Sequence, residues 1–380
     1  MTLWDELVGQ DSAVAQMKEA AVRGSRSMTH SWLITGPPGS GRSTLALAFA
    51  AELVDAGQNE VAWNQIISKT HPDVSVLATT AVTITIEEVR SLVSFSHLSP
   101  SISRHRVIVI EDADRMTERT SNVLLKALEE PPPQTVWILC APSATDLLAT
   151  VRSRVRSVVL RVPPVEDVAA LIAERESVEL EVARVAATEA QSHIGMATRL
   201  ATDQGARDRR HACMQTVLGV ESVSAAVAAA ARLLEIAKED ARALGDRSDS
   251  QEKEAMLASF GLARESSVPT GLRPQLKALE ADQKKRKTRS LRDAIDRILV
   301  DLLSLFRDIL IAQVGASSNP INISHHEAVK ARAAKMSPQS TLRGTRAVRE
   351  ARQRIAQNSP PLLVLEALLI ELCTGRNYKS

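Results

Sequence analysis

The feature that most constrains this chain is eight residues long: Gly36-Pro37-Pro38-Gly39-Ser40-Gly41-Arg42-Ser43. It follows an aliphatic run, Ser31-Trp32-Leu33-Ile34-Thr35, and opens a helical pattern that continues Thr44-Leu45-Ala46-Leu47. The spacing is that of a phosphate loop, G-x-x-x-x-G-K-[ST], whose glycines let successive backbone N–H groups curl around an anion at a helix N-terminus. Such a loop needs a buried strand before it and a crossover helix after it, so it implies an α/β domain. Similar aliphatic runs precede or follow helical patterns at 107–110, 136–141 and 157–162, which predicts a parallel sheet covered by helices.

From Pro163 onward no comparable strand series occurs, and Ala, Leu, Glu and Arg recur at helical spacing, as in Val165-Glu166-Asp167-Val168-Ala169-Ala170-Leu171-Ile172. The expected division is a nucleotide-binding-like α/β domain over 1–162, a small helical lid over 163–207, and an all-α collar over 208–380. Polar, Ser- and Asp-containing stretches predict a loop or insertion at about 244–290. Residues 290–313 and 360–373 carry apolar stripes at i, i+3, i+4 and i+7 and are expected to be well-buried helices.

Composition excludes other classes. At 44% hydrophobic residues, with 47 Lys and Arg against 45 Asp and Glu, the chain has the aliphatic surface to build cores and is not a disordered polyelectrolyte. Cys140, Cys213 and Cys373 lie too far apart for a disulfide framework or a zinc ligand set, so a reducing compartment and no metal site are expected. The acidic start lacks the pattern of a signal peptide, and no apolar run reaches the roughly 20 residues a bilayer needs, so the expectation is a cytoplasmic protein without membrane contact. Residues 1–160 hold 14 basic against 17 acidic residues and the remainder 33 against 28. The basic excess includes Lys284 to Lys287 and the series Lys330, Arg332, Lys335, Arg343, Arg346, Arg349, Arg352 and Arg354, which fits either phosphate contacts or solvated helix faces.

Two departures bear on chemistry. Arg42 stands where the phosphate-loop lysine reaches the β and γ phosphates, and a planar guanidinium fork does not reproduce the approach of a compact ammonium. Val107-Ile108-Val109-Ile110-Glu111-Asp112 reads as a strand ending in carboxylates, where phosphate-loop enzymes hold Mg²⁺ with an Asp and polarise water with a following Glu. Here the order is Glu111 then Asp112, so each reaches to the wrong depth. Nucleotide binding is compatible with this loop; turnover is not expected from it.

Together with these motifs, Leu7-Val8-Gly9-Gln10, the run Leu124-Leu125-Lys126-Ala127-Leu128-Glu129-Glu130-Pro131-Pro132, and Thr150-Val151-Arg152-Ser153-Arg154 resemble the bacterial clamp-loader AAA+ subunits of DNA polymerase III, and among them the delta-prime type. The resemblance covers roughly 1–205 by motif and the rest by helical pattern. It implies an AAA+ phosphate-loop domain, a helical lid and a collar that assembles with motor and wrench subunits into a hetero-pentameric ring. The ring would load a sliding clamp onto primed DNA, with the clamp and the DNA contacted through the complex. The Ser-Arg motif would make Arg154 an arginine finger acting in trans on a neighbour's ATP, with Glu111 and Asp112 a degenerate Walker B pair. Residues 36–43 with Ser143, at the first sensor position, would hold ATP and Mg²⁺ weakly or not at all. Thr198 occupies the second sensor position, where the family has Arg. The four cysteines that bind zinc in many members have no counterpart between Glu52 and Pro72. For Arg154 a second reading stays open, in which Arg152, Arg154 and Arg156 cap a helix or pair on the surface. Two other functions also stay open: an active motor ATPase of the same assembly, and a non-enzymatic DNA-binding protein on a degenerate scaffold.

Overall fold

The computed structural model describes residues 3–54, 60–79, 81–259 and 273–374. The chain divides into two compact units, Met1–Thr202 and Asp203–Ser380.

The first unit is built on five parallel strands, β1 (Ser31–Thr35), β2 (Val74–Leu77), β3 (Arg106–Ile110), β4 (Thr135–Ala141) and β5 (Arg156–Val159), in the order β2-β3-β4-β1-β5. In the three central strands every residue is buried, as expected of a sheet covered on both faces. Alternation then sorts the side chains. Trp32, Ile34, Val107, Val109, Val136 and Ile138 face a core shared with α1 (Asp11–Ala21), α2 (Arg42–Leu53) and α3 (Glu60–Ile67). Leu33, Ile108, Ile110, Trp137 and Leu139 face the opposite core with α4 (Ile86–Ser96), α5 (Glu118–Glu129) and α6 (Ala149–Arg152). A one-residue slip of any central strand would exchange these two sets, so burial on both sides pins the register.

One end of the sheet is held by a buried ion pair. Asp73, directly before β2, accepts N–H bonds from Ser101, Ile102 and Ser103 at 2.6, 2.9 and 2.9 Å and pairs at 3.2 Å with Arg106, the first residue of β3. Arg106 also stacks on Phe95, 4.2 Å from its ring centroid. Burial pushes the Asp73 carboxyl up, but the three backbone donors together with the Ser103 side chain outweigh it and leave it below its ordinary value.

Three helices complete this unit: α7 (Val165–Glu176), α8 (Leu180–Glu189) and α9 (Ile194–Thr202). The second unit is helical throughout its described part: α10 (Gln204–Leu218), α11 (Val223–Ser259), α12 (Arg273–Val314), α13 (His326–Lys335), α14 (Pro338–Ala356) and α15 (Pro361–Thr374). The expected α/β domain with a parallel sheet, followed by helices, is the observed fold class. Of the segment expected to loop at about 244–290, the backbone is helical up to Ser259 and again from Arg273, because Ala, Glu, Lys, Arg and Gln outnumber the Ser and Asp that suggested a loop. Residues 260–272 lie outside the described residues.

Polar groups also tie the second unit together. Arg210, only 8% exposed, donates to Asn322 Oδ1 at 2.6 Å and pairs with Asp301 at 3.2 Å. Asp308 accepts from the Ile321 and Asn322 N–H groups at 2.9 and 2.7 Å. Several members of the basic series are engaged within the chain: Arg352 forks onto Asp296 at 2.7 and 2.9 Å, Arg354 bonds Glu350 at 2.6 Å, and Lys330 pairs with Glu327 at 3.4 Å. No helix among the described residues is long and apolar enough to cross a membrane.

Candidate functional site

The loop at 36–43 runs from the end of β1 into α2, beside the tip of β4, where the Gly36 N–H reaches the Pro142 carbonyl at 3.3 Å. Its glycines are there for backbone reasons. Gly39 and Gly41 have φ of +79° and +93°, a region L side chains rarely adopt, and Gly41 is the N-cap of α2. The space around them is filled. A Cβ on Gly39 would overlap the His193 ring, and one on Gly41 would lie 2.8 Å from Leu7 Cδ2. His193 stands at the entrance to α9, where its Nδ1 accepts the Met196 N–H at 3.2 Å; the next residue, Ile194, donates its own N–H to the Gly39 carbonyl at 3.5 Å. Leu7 comes from the Leu7-Val8-Gly9-Gln10 motif, whose Gln10 clamps the backbone of Arg161 from both sides, at 2.8 and 3.0 Å.

The charged residues of the loop region have turned toward their own chain. Arg42 Nη1 donates to the Gly36 carbonyl at 3.0 Å, closing the loop on itself. Glu111 pairs with Lys69 at 2.9 Å, and Asp112 lies 3.9 Å from Arg115. Asp114, which motif spacing does not single out, lies within the field of Arg42; burial pushes its carboxyl up, against that pull. Ser143 caps a single 3-10 turn at Ala144–Asp146, its hydroxyl accepting the Thr145 N–H at 3.3 Å. The Ser40 hydroxyl is buried and unpartnered in the structure.

A loop that kept its shape would still offer backbone N–H groups to an anion. The charged side chains around it are engaged with their own chain. The cation that should reach the terminal phosphates is bonded to a loop carbonyl, and the carboxylate at the strand end is neutralised by a lysine. Pro37 and Pro38 contribute no N–H, so the donors of the loop come from residues 39–43.

At the second sensor position Thr198 Oγ1 accepts from Arg175 Nη2 at 2.9 Å, and Arg175 also pairs with Glu176 at 2.9 Å and lies 4.0 Å from Glu6. Sequence spacing missed Arg175, which reaches Thr198 from α7, and His193, which reaches Gly39 from the turn before α9. The lone histidine after a helix end and the arginine in the last turn of α7 gave no periodic signal.

Arg154 lies apart from this cluster in sequence, just beyond α6. Its Nε donates to Glu129 Oε1 at 2.7 Å and Nη2 contacts the same oxygen, while Nη1 donates to the Thr150 carbonyl at 2.7 Å and to Ser153 Oγ at 3.1 Å. Side-chain exposures of 33% for Arg154 and 45% for Glu129 put this pair at the surface. Surface pairing, the second reading of Arg154, is thus present. It does not consume the guanidinium, which keeps one Nη2–H beyond these four contacts.

Residues 9–164 match the family model described as DNA polymerase III, delta subunit. Among curated proteins, the chain is 33% identical over 140 residues to the DNA polymerase III subunit delta' of Pseudomonas aeruginosa, covering 34% of this chain and 43% of that protein. It is 27% identical over 188 residues to the subunit gamma/tau of Mycobacterium tuberculosis, covering 46% and 32%. The matches therefore span less than half the length of these relatives. Among solved structures, a DNA polymerase III gamma subunit-related protein from Thermotoga maritima aligns with 94% of this chain and 99% of its own, at a TM-score of 0.45 and 17% identity. The sequence matches fall on the stretch that holds the loop, the Leu124 to Pro132 run and the Ser153-Arg154 pair, and residues 9–164 are similar there to delta-prime and gamma/tau subunits of DNA polymerase III.

Proposed function

We propose that this chain is a delta-prime-like subunit of a DNA polymerase III clamp loader, working in the cytoplasm within a hetero-pentameric ring of motor and wrench subunits. Its task is to support ATP-dependent loading of the sliding clamp onto primed DNA. It supplies Arg154 in trans to ATP held by a neighbouring subunit, and its own nucleotide site, residues 36–43 with Glu111, Asp112 and Ser143, is idle.

One contrast carries this reading. The loop arginine is bonded to the loop's own carbonyl at 3.0 Å, whereas Arg154 stands on the surface, one third exposed and oriented by its neighbours. A guanidinium that meets a γ phosphate stabilises charge developing in the transition state, an effect on the order of 10³ to 10⁵ in rate where it has been dissected. Only a cation displayed at the surface can do this for another subunit.

The test uses the assembled complex with its motor and wrench subunits. Arg154→Ala is expected to lower clamp- and DNA-stimulated ATP turnover at least about tenfold, with the other sites of the ring supplying the remainder. The purified chain alone is expected to release no phosphate from ATP above background. Unchanged turnover in the Arg154→Ala complex, or brisk hydrolysis by the single chain, would overturn the proposal.

A further inference from the structure

The helix that ends beside Arg154 carries an arrangement its own stability does not call for. α5 closes with Lys126-Ala127-Leu128-Glu129 and is followed by Glu130, so two carboxylates sit where the macrodipole and the last carbonyl groups are already negative. Pro131, Pro132 and Pro133 then stop the helix at a fixed point, because none can continue it and each restricts the residue before it. An acidic helix end locked in place by three prolines is a poor helix terminus and a good socket for a cation.

Arg154 occupies that socket. Glu129 Oε1 takes Nε and Nη2, and Thr150 O and Ser153 Oγ take Nη1. Ser153 is itself fixed, donating its hydroxyl to Thr150 O at 3.0 Å. The guanidinium plane is therefore set from three sides by groups of its own chain before any neighbour arrives. A long arginine side chain otherwise loses rotamer freedom when it meets its target, and setting the geometry beforehand removes that loss from the reaction.

We infer that Glu129 is the positioning residue for Arg154. It holds the guanidinium with its remaining Nη2–H directed away from the α5 end, so that the finger meets a neighbour's γ phosphate already oriented. This rests on the reading of Arg154 as a trans-acting finger. The opposite role for the same contact would be a competitor, a carboxylate that occupies the cation and must be displaced by phosphate.

The experiment measures ATP turnover against ATP concentration in the full complex, with Glu129→Ala, Glu129→Gln, Arg154→Ala and the Glu129→Ala/Arg154→Ala pair. Glu129→Ala is expected to lower kcat about tenfold with KM within about twofold of the parent, because orientation acts on the transition state rather than on the neighbour's bound ATP. Glu129→Gln keeps the acceptor oxygen and the shape, is safe for folding, and is expected to retain more than half of kcat. The double variant is expected to be no slower than Arg154→Ala, since Glu129 acts only through Arg154. If Arg154→Ala leaves turnover unchanged, the finger reading fails and this inference with it. If Arg154→Ala is slow but Glu129→Ala matches the parent or exceeds it, the positioning role alone is wrong and the competitor role stands. A Gln variant as slow as the Ala variant, or losses that multiply in the double variant, would also overturn it.

Discussion

Two arginines in the first unit have been given opposite surroundings. Arg42 begins α2, and its guanidinium is folded back onto the neutral carbonyl of Gly36, within a loop whose glycine faces are covered by His193 and Leu7. Arg154 is held by a carboxylate, a carbonyl and a hydroxyl, yet it remains at the surface. The first arrangement makes a cation part of the packing; the second keeps a cation ordered and reachable. The difference teaches that the glycines of such a loop have an architectural task apart from any chemistry, because the close approach of β1, α2 and the start of α9 needs them. Changes around the loop should therefore be read in stability, and changes at Arg154 in turnover.

The largest expected effect sharpens the architectural half of that contrast. Asp73→Ala removes the partner of Arg106, a guanidinium almost completely buried, and should cost about 3–5 kcal/mol in denaturant unfolding, since a buried charge would be left uncompensated. The pH dependence has a fixed sign. The Asp73 carboxyl is lowered in the folded state, so its contribution is fully present above the ordinary carboxylate value and is lost as pH falls through the lowered one. Acid titration of the parent should show this loss below about pH 4, and Asp73→Asn should be flatter there.

Next in size is Gly39→Ala, expected to cost about 2–4 kcal/mol from a positive φ and from the His193 ring in the way of the methyl group. The same variant in the assembled complex should leave clamp-stimulated ATP turnover within about twofold once the chain is folded, since no step of the proposed chemistry occurs in this loop. A complex that lost its turnover here while the chain melted normally would break the comparison. Arg42→Ala is a smaller case of the same kind: the bond to Gly36 is a charge-assisted contact to a carbonyl, and its loss should cost about 1–2 kcal/mol by thermal melting.

Much of this was legible before the fold was known. The strand-loop-helix context of Gly36 to Ser43 dictated β1 and α2, and the alternating aliphatic runs dictated the sheet, because these depend on short-range spacing and burial. The exchange of Lys for Arg at 42 signalled a changed loop, but not that the guanidinium would close onto Gly36. Glu111 and Asp112 announced an altered strand end, while the pairing of Glu111 with Lys69 depends on a contact 42 residues apart. His193, Arg175 and Glu129 were invisible as partners for the same reason: each is unremarkable where it stands in the sequence and acquires a role only when another element arrives beside it. The long helices through 244–259 and 273–290 show the converse, a local polarity that suggested a loop and was outweighed by helix-forming residues.

The smallest expected effect is the most telling for Arg154. Its pair with Glu129 is short but lies at a surface where both side chains remain a third or more exposed, so water and salt screen it. Measured by thermal melting, Arg154→Ala should change the stability of the isolated chain by less than about 1 kcal/mol, and the residual difference should shrink further in high salt. A pair that holds geometry without contributing stability is what a presented finger requires. If it held the domain together, any movement of the guanidinium toward a neighbour's phosphate would loosen the end of α5. A loss of several kcal/mol in this variant would move Arg154 into the same class as Arg106, a structural cation, and the distinction between the two arginines of the phosphate-loop domain would collapse.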